Sequence, residues 1–162
     1  PPLCDPSGGD PREAIEMEKN MGDRGNILVV DEFIELSGAR RTSSTVFIYS
    51  HNHGSHLQKL LKLALSSFVR WDDAAYLTRL IVDTVSDNVG NKVTGLGISS
   101  TLGDNEWGRP VLVVRPHYQT VGLWFTELEL ESYLDMEGSL ARGATFKEFV
   151  DPTFKFYERV SS

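Results

Sequence analysis

The sequence predicts an α+β domain: a mostly antiparallel sheet of about five strands with two main helices, in the order ββααβββ. Three observations carry that prediction. Two strand-like runs, "NILVVDEFIEL" and "TVFIYS", flank the turn-forming "SGARRTSS" and read as a hairpin. Two amphipathic segments follow one another with no strand between them. Three more strand candidates come next, so strands and helices do not alternate as a parallel α/β sheet requires.

The elements follow in order. "PPLCDPSGGDPREAIEMEKN" is Pro- and Gly-rich at its start and reads as a flexible leader or extension over 1–20, with a short polar helix over 12–19. A single folded domain is expected over 21–162. In "GSHLQKLLKLALSSF", Leu57, Leu60, Leu61 and Ala64 recur at helical spacing, with Ser55 as the expected N-cap. "DDAAYLTRLIVDTVSDN" repeats the pattern with Leu77, Leu80, Ile81 and Val85. Asp72 or Asp73 would cap it, and Gly90 would end it in the left-handed conformation. The later strand candidates are "KVTGLGISS", "PVLVVRP" and "TVGLWFTE". "TLGDNEWGR" links the first two, and "PHYQ" is a tight turn between the second and third. "ELELESYLDMEG" is ambiguous; Glu127, Glu129, Glu131 and Asp135 read as the wet face of a strand. "ATFKEFV" reads as a short helix before a Phe- and Tyr-rich tail.

Composition narrows the function classes. The chain has 162 residues, 40% of them hydrophobic and 24% charged, which suits one globular core. The longest apolar runs are about four to five residues, such as "ILVV" at 27–30, far below the roughly 20 residues of a membrane span. The formal net charge is −7, without clustered Lys and Arg, which disfavours nucleic acid as a partner. The lone cysteine, Cys4, cannot form an internal disulfide and fits a reducing cytoplasm.

"SHNHGSH" at 50–56 is the most chemically suggestive stretch. His51-x-His53-x-x-His56, after a strand and before a helix, resembles the His-x-His-x-Asp-His motif of the metallo-β-lactamase superfamily. Ser55 stands where that motif has its Asp, and the chain is too short for that fold. A simpler zinc site through His51, His53 and His56 is the metal alternative. The plainer reading is a strand-to-helix turn whose histidines bond locally.

Other polar groups qualify as site candidates. "GDRGN" at 22–26 carries Asp23 and Arg24 without the spacing of a phosphate-binding loop; its plainer reading is a turn with an Asp–Arg pair. "RWDDAAYLTRL" sets Arg70, Asp72, Asp73, Tyr76 and Arg79 around a helix start, a carboxylate–phenol–guanidinium set suited to orienting a substrate. Its plainer reading is a cap, a solvated arginine and Trp71 as packing. "GDNEWG" at 103–108 offers Asp104, Asn105 and Glu106 on a loop, with Trp107 expected to fold onto the core.

Taken together, "MGDRGNILV", "FIYSHNHGSHL", "RWDDAAYLTRLIVD", "TGLGIS" and "DNEWGRPVLVV" resemble a family of small, uncharacterised prokaryotic and phage proteins. The resemblance spans about 21–121. It implies that Gly22, Asp23, Arg24, Asn26, His51, Gly54, Arg70, Trp71, Asp72, Asp73, Tyr76, Arg79, Asn105 and Glu106 belong to the shared pattern. The chain departs from that pattern at Asn52, His53, His56 and Trp107, so of the three histidines only His51 is implied as a site residue.

The leading expectation is a polar pocket that binds, and in its catalytic version hydrolyses, a nucleotide-like or other anionic small molecule. Arg24, Arg70 and Arg79 would pair with the anion. His51 would be the general acid or base, and Asp72 or Asp73 would orient it or hold a cation. Asp23, Tyr76, Asn105 and Glu106 would complete the wall. No cofactor is assigned. The alternative is a non-catalytic module, such as a phage-type inhibitor of a host system, docking its acidic surface on a basic protein partner.

Overall fold

The computed structural model describes residues 22–90, 94–136 and 143–156. The leader over 1–20 with its short helix, Cys4 and the domain start at 21 lie outside the described residues. The elements are β1 (Gly25–Ile34), β2 (Arg40–Ser50), a 3-10 turn (Gly54–His56), α1 (Leu57–Leu65), α2 (Ala74–Asn88), β3 (Leu96–Ser99), β4 (Val111–Arg115), β5 (Thr120–Trp124), α3 (Leu130–Asp135), β6 (Gly143–Thr145) and α4 (Phe146–Phe149). The fold is α+β, with an open six-stranded mixed sheet in the order β3-β2-β1-β4-β5-β6. β1 runs parallel to β4, and the other neighbours pair antiparallel.

Side-chain alternation along β1 explains the two cores. Ile27 and Val29 face α1 and α2, where they meet Ile48, Leu61, Ile81 and Leu112. Leu28 and Val30 face the other way, onto Phe47, Val113, Trp124 and Tyr133. Burial on both faces is why β1 reads as a continuous apolar run and not as an alternating one. At roughly 25 cal/mol per Å² of buried apolar surface, such a doubly covered strand is a main source of stability.

Several elements differ from the expectation. A sixth strand, β6, occupies the start of "ATFKEFV", and α4 begins only at Phe146, behind a Thr145–Glu148 capping box. β2 starts at Arg40, inside the stretch expected to be turn. The acidic segment is not a strand: it forms α3, which buries Tyr133 and Leu134. Gly90 is not left-handed; α2 ends at Asn88 with Val89 as an extended C-cap, and Asn88 Nδ2 donates to Thr84 O at 2.7 Å.

α3 is held by charge as well as by packing. Arg40 donates to Asp135 Oδ1 at 2.6 Å and to Glu131 Oε2 at 3.1 Å. Burial alone would lower the Arg40 pKa, but the hydrogen bonds it donates to those two carboxylates raise it. Beneath lies a forked pair: Arg115 Nε and Nη2 donate to the two Glu32 carboxylate oxygens at 2.9 and 2.8 Å. Glu32 sits beside a β1 register irregularity, and its side chain is fully buried. Arg40 Nη1 lies 3.5 Å from Glu32 Oε1, so the buried carboxylate meets two guanidinium groups.

Candidate functional site

The chain from β3 to β4 returns across β2 and β1 as a strap over 102–110. Asn26 secures it. This buried side chain donates through Nδ2 to Gly103 O, Asp104 O and Asn105 Oδ1 at 3.2–3.3 Å. Asn105 Nδ2 in turn donates to Arg109 O at 2.6 Å. Tyr49, paired with Asn26 across the strands, packs against Gly103, where an added Cβ would lie 2.9 Å from the ring.

The histidine turn is clamped to the same end of the sheet. Gly54 N donates to Asp23 O at 2.7 Å. The Asp23 carboxylate accepts from Ser55 N at 2.9 Å, from the Ser55 hydroxyl, and from Arg109 Nη1 at 2.6 Å. Burial alone would raise the Asp23 pKa; the bonds from Ser55 and Arg109 prevail and hold it below the ordinary carboxylate value. Two expectations change here. Asp23 pairs with Arg109 and not with Arg24, and Ser55 serves Asp23 while His56 occupies the N-cap of α1. Gly54 is needed because Arg24 and Arg109 leave no room for a Cβ.

Asp23, Arg24, Asn105 and Glu106 therefore converge. Arg24 O accepts from Arg109 Nη1 at 2.7 Å and from Glu106 N at 3.2 Å, and Arg24 Nη1 lies 3.8 Å from Asp104. His51 joins this side through Tyr49, whose hydroxyl is 2.8 Å from His51 Nδ1. Burial pushes the Tyr49 phenol up; Arg24 opposes the shift, and Asp104 and Glu106 add to it. Trp107, expected on the core, is 100% exposed at the strap's tip.

The helix-start group does not join them. Asp73 caps α2 by accepting from Tyr76 N at 3.2 Å. Arg70 lies over the Tyr76 ring at 4.4 Å, Arg79 donates to Asp83 at 2.7 Å, and Asp72 is exposed. Ala74, Ala75 and Thr78 share a small cavity with Asp31 and Ser44, whereas the strap rests on Asn26. At about 3.3 Å per residue, Asn26 and Asp31 are roughly 17 Å apart along β1. Arg24, Arg70 and Arg79 thus form no common clamp, and Asp72 and Asp73 lie away from His51.

Nor do the three histidines converge. His51 turns to Tyr49, while the His53 and His56 rings face each other at 6.0 Å. Among the described residues no three His, Cys, Asp or Glu side chains are grouped to hold a metal ion.

The concave surface lies on the helical side of the sheet, along α1. A groove of about 590 Å³ carries His53, His56, Lys59 and Lys62 on its walls. Leu60, Leu63, Val150 and Pro152 give it apolar surface. Among the described residues no lining residue is acidic, and the carboxylate of nearby Asp151 is bonded to Thr153 N and Oγ1 at 2.8 and 2.7 Å. Lys62 is steadied by the carbonyls of Asp151 and Phe154 at 3.1 and 3.3 Å. Lys59 and Lys62 also line a shallower hollow with Ser55 and Gln58. Ser55 and Gln58 in turn border a cavity of about 200 Å³ below Arg109. Sequence reasoning missed Lys59, Lys62, Gln58 and Arg109. The only available signal was that the polar face of a helix holds two lysines and no acid between Leu57 and Leu65.

Comparison with known protein families, curated proteins and solved structures finds no match for the chain. Among the described residues no helix is long and apolar enough to cross a membrane.

Proposed function

We propose that the protein binds an anionic small molecule in the groove along α1. The observation that carries this reading is the groove's charge. Among the described residues, two lysines and two histidines line it with no carboxylate, in a chain of net charge −7. Cations concentrated in a concave, partly apolar wall are what recognition of a phosphate or carboxylate needs. Tyr49 and His51 lie on the strap side of the sheet, so the proposal is binding and assigns no hydrolytic step to His51. Calorimetric titration with inorganic phosphate, nucleoside monophosphates and short carboxylates tests it. Lys59→Glu should weaken the bound anion about tenfold, or ~1.4 kcal/mol. The unfolding midpoint should hold, because Lys59 is exposed. Equal binding by this variant, or no anion binding at millimolar concentration, refutes the reading.

A second reading is supported by Trp107. A tryptophan 100% exposed, beside Asp104 and Glu106, suits an anchor for a basic protein partner. Loss of a stable purified complex in Trp107→Ala would support it. Retention of the complex in that variant would remove it.

A further inference from the structure

We infer that the ligand of the α1 groove is a free amphiphile, with one anionic head and an alkyl or aryl body. This rests on reading the groove as an anion site and specifies which anion it takes. The head belongs where Lys59 and Lys62 face Ser55 and Gln58. The body belongs over Leu60, Leu63, Val150 and Pro152.

Two observations separate this class from a nucleotide. The hydroxyl and amide groups among the described lining residues, on Ser66 and Asn88, are already engaged. Ser66 donates its hydroxyl to Lys62 O at 2.6 Å, and Asn88 Nδ2 donates to Thr84 O at 2.7 Å. That leaves the His53 and His56 rings as the remaining uncharged polar groups, and among the described residues no Phe, Tyr or Trp ring lines the groove for stacking. Leu63, in contrast, lies on the wall with 56% of its surface exposed. An exposed leucine inside a concavity, flanked by the methylene stems of two lysines, is apolar surface that a ligand body would cover. The residues line a recess and do not protrude, which fits a single molecule better than a bilayer surface.

The test is calorimetry with inorganic phosphate, butyl, hexyl and octyl phosphate, adenosine monophosphate and octyltrimethylammonium, all below micelle-forming concentration, alongside vesicles with and without anionic lipid. Affinity should rise about three- to fourfold per added methylene until the groove is filled, and the cationic amphiphile should not bind. Leu63→Asn should flatten the chain-length dependence while inorganic phosphate binding stays within about twofold; Lys59→Glu should weaken every anion alike. If octyl phosphate binds no tighter than phosphate, or adenosine monophosphate outcompetes it, the amphiphile is overturned and the anion site stands. If no anion binds, both fall. Binding to anionic vesicles without binding to monomeric octyl phosphate would assign the site to a lipid surface and overturn the free ligand.

Discussion

Gly54→Ala is the sharpest perturbation the structure offers. A Cβ there would lie 2.6 Å from the Arg24 carbonyl carbon and 2.7 Å from its oxygen, and would also press on Arg109 Nη1. Side chains yield to such pressure, but Arg24 is held by the paired start of β1, where Gly25 faces Ser50. Gly25 gives no slack, since its own Cβ position is 2.8 Å from the Gly54 Cα. The turn must therefore lift. That stretches Gly54 N to Asp23 O, now 2.7 Å, and Arg109 Nη1 to Arg24 O, also 2.7 Å. Overpacking costs about 1–3 kcal/mol and each weakened hydrogen bond about 1 kcal/mol. A loss of about 3–4 kcal/mol follows, which lowers the melting temperature by roughly 10 °C in a chain of this size. Urea unfolding with an unchanged m-value is the assay. Gly38→Ala is the control: its φ is +86°, but nothing lies within 4 Å, so only the left-handed strain of about 1–2 kcal/mol applies. A Gly54→Ala loss no larger than the Gly38→Ala loss would refute the close-approach argument.

Other consequences are testable in the same way. Glu32→Gln should cost about 3–5 kcal/mol by removing the buried carboxylate that Arg115 and Arg40 both meet, whereas the paired change Glu32→Leu with Arg115→Met should recover most of the loss in thermal melts. Asp23→Asn should destabilise most near neutral pH. The folded carboxyl titrates below its unfolded value, so its contribution is complete above about pH 4 and disappears as pH falls through the folded value. Melting curves of both proteins should therefore draw together on acidification; a constant gap would contradict this. Asn26→Ala should cost about 2–3 kcal/mol, because it removes the donors of three strap acceptors. Trp107→Ala should stay within about 0.5 kcal/mol of the parent in chemical unfolding, as expected for a side chain with no packing to lose.

The periodic parts of the fold were legible because burial follows period. Leu57, Leu60, Leu61 and Ala64 form the buried stripe of α1, and Leu77, Ile81 and Val85 that of α2. The acidic segment misled because Glu127, Glu129 and Glu131 happen to alternate, while α3 is decided by Tyr133 and Leu134 packing and by Arg40 reaching two carboxylates four residues apart. At the site, local spacing found Asp23, Arg24, Asn105 and Glu106 but could not supply Arg109 as Asp23's partner, since that pairing spans 86 residues. The same blindness to tertiary contact placed Arg70 and Arg79 in a common clamp, when each has a neighbour on its own helix or helix start. The groove was hidden for a third reason: one wall of it comes from Val150 and Pro152, which meet α1 only after the sheet has assembled.

The parallel β1–β4 pair has a kinetic meaning. β1–β2 and β4–β5 are hairpins of neighbouring chain and can close early. Joining them requires contacts such as Asn26 to Gly103, 77 residues apart, for which loop-closure entropy is lost before any contact forms. The strap should therefore lock in the last stage of folding. Truncating Asn26 would then speed unfolding and leave the refolding rate nearly untouched, while truncating Ile48 inside the first hairpin would slow refolding. The end of the sheet that assembles last also carries the Asp23–Arg109 clamp on the histidine turn, whose His53 and His56 line the groove, so opening of that seam would widen the groove's mouth without unfolding the rest.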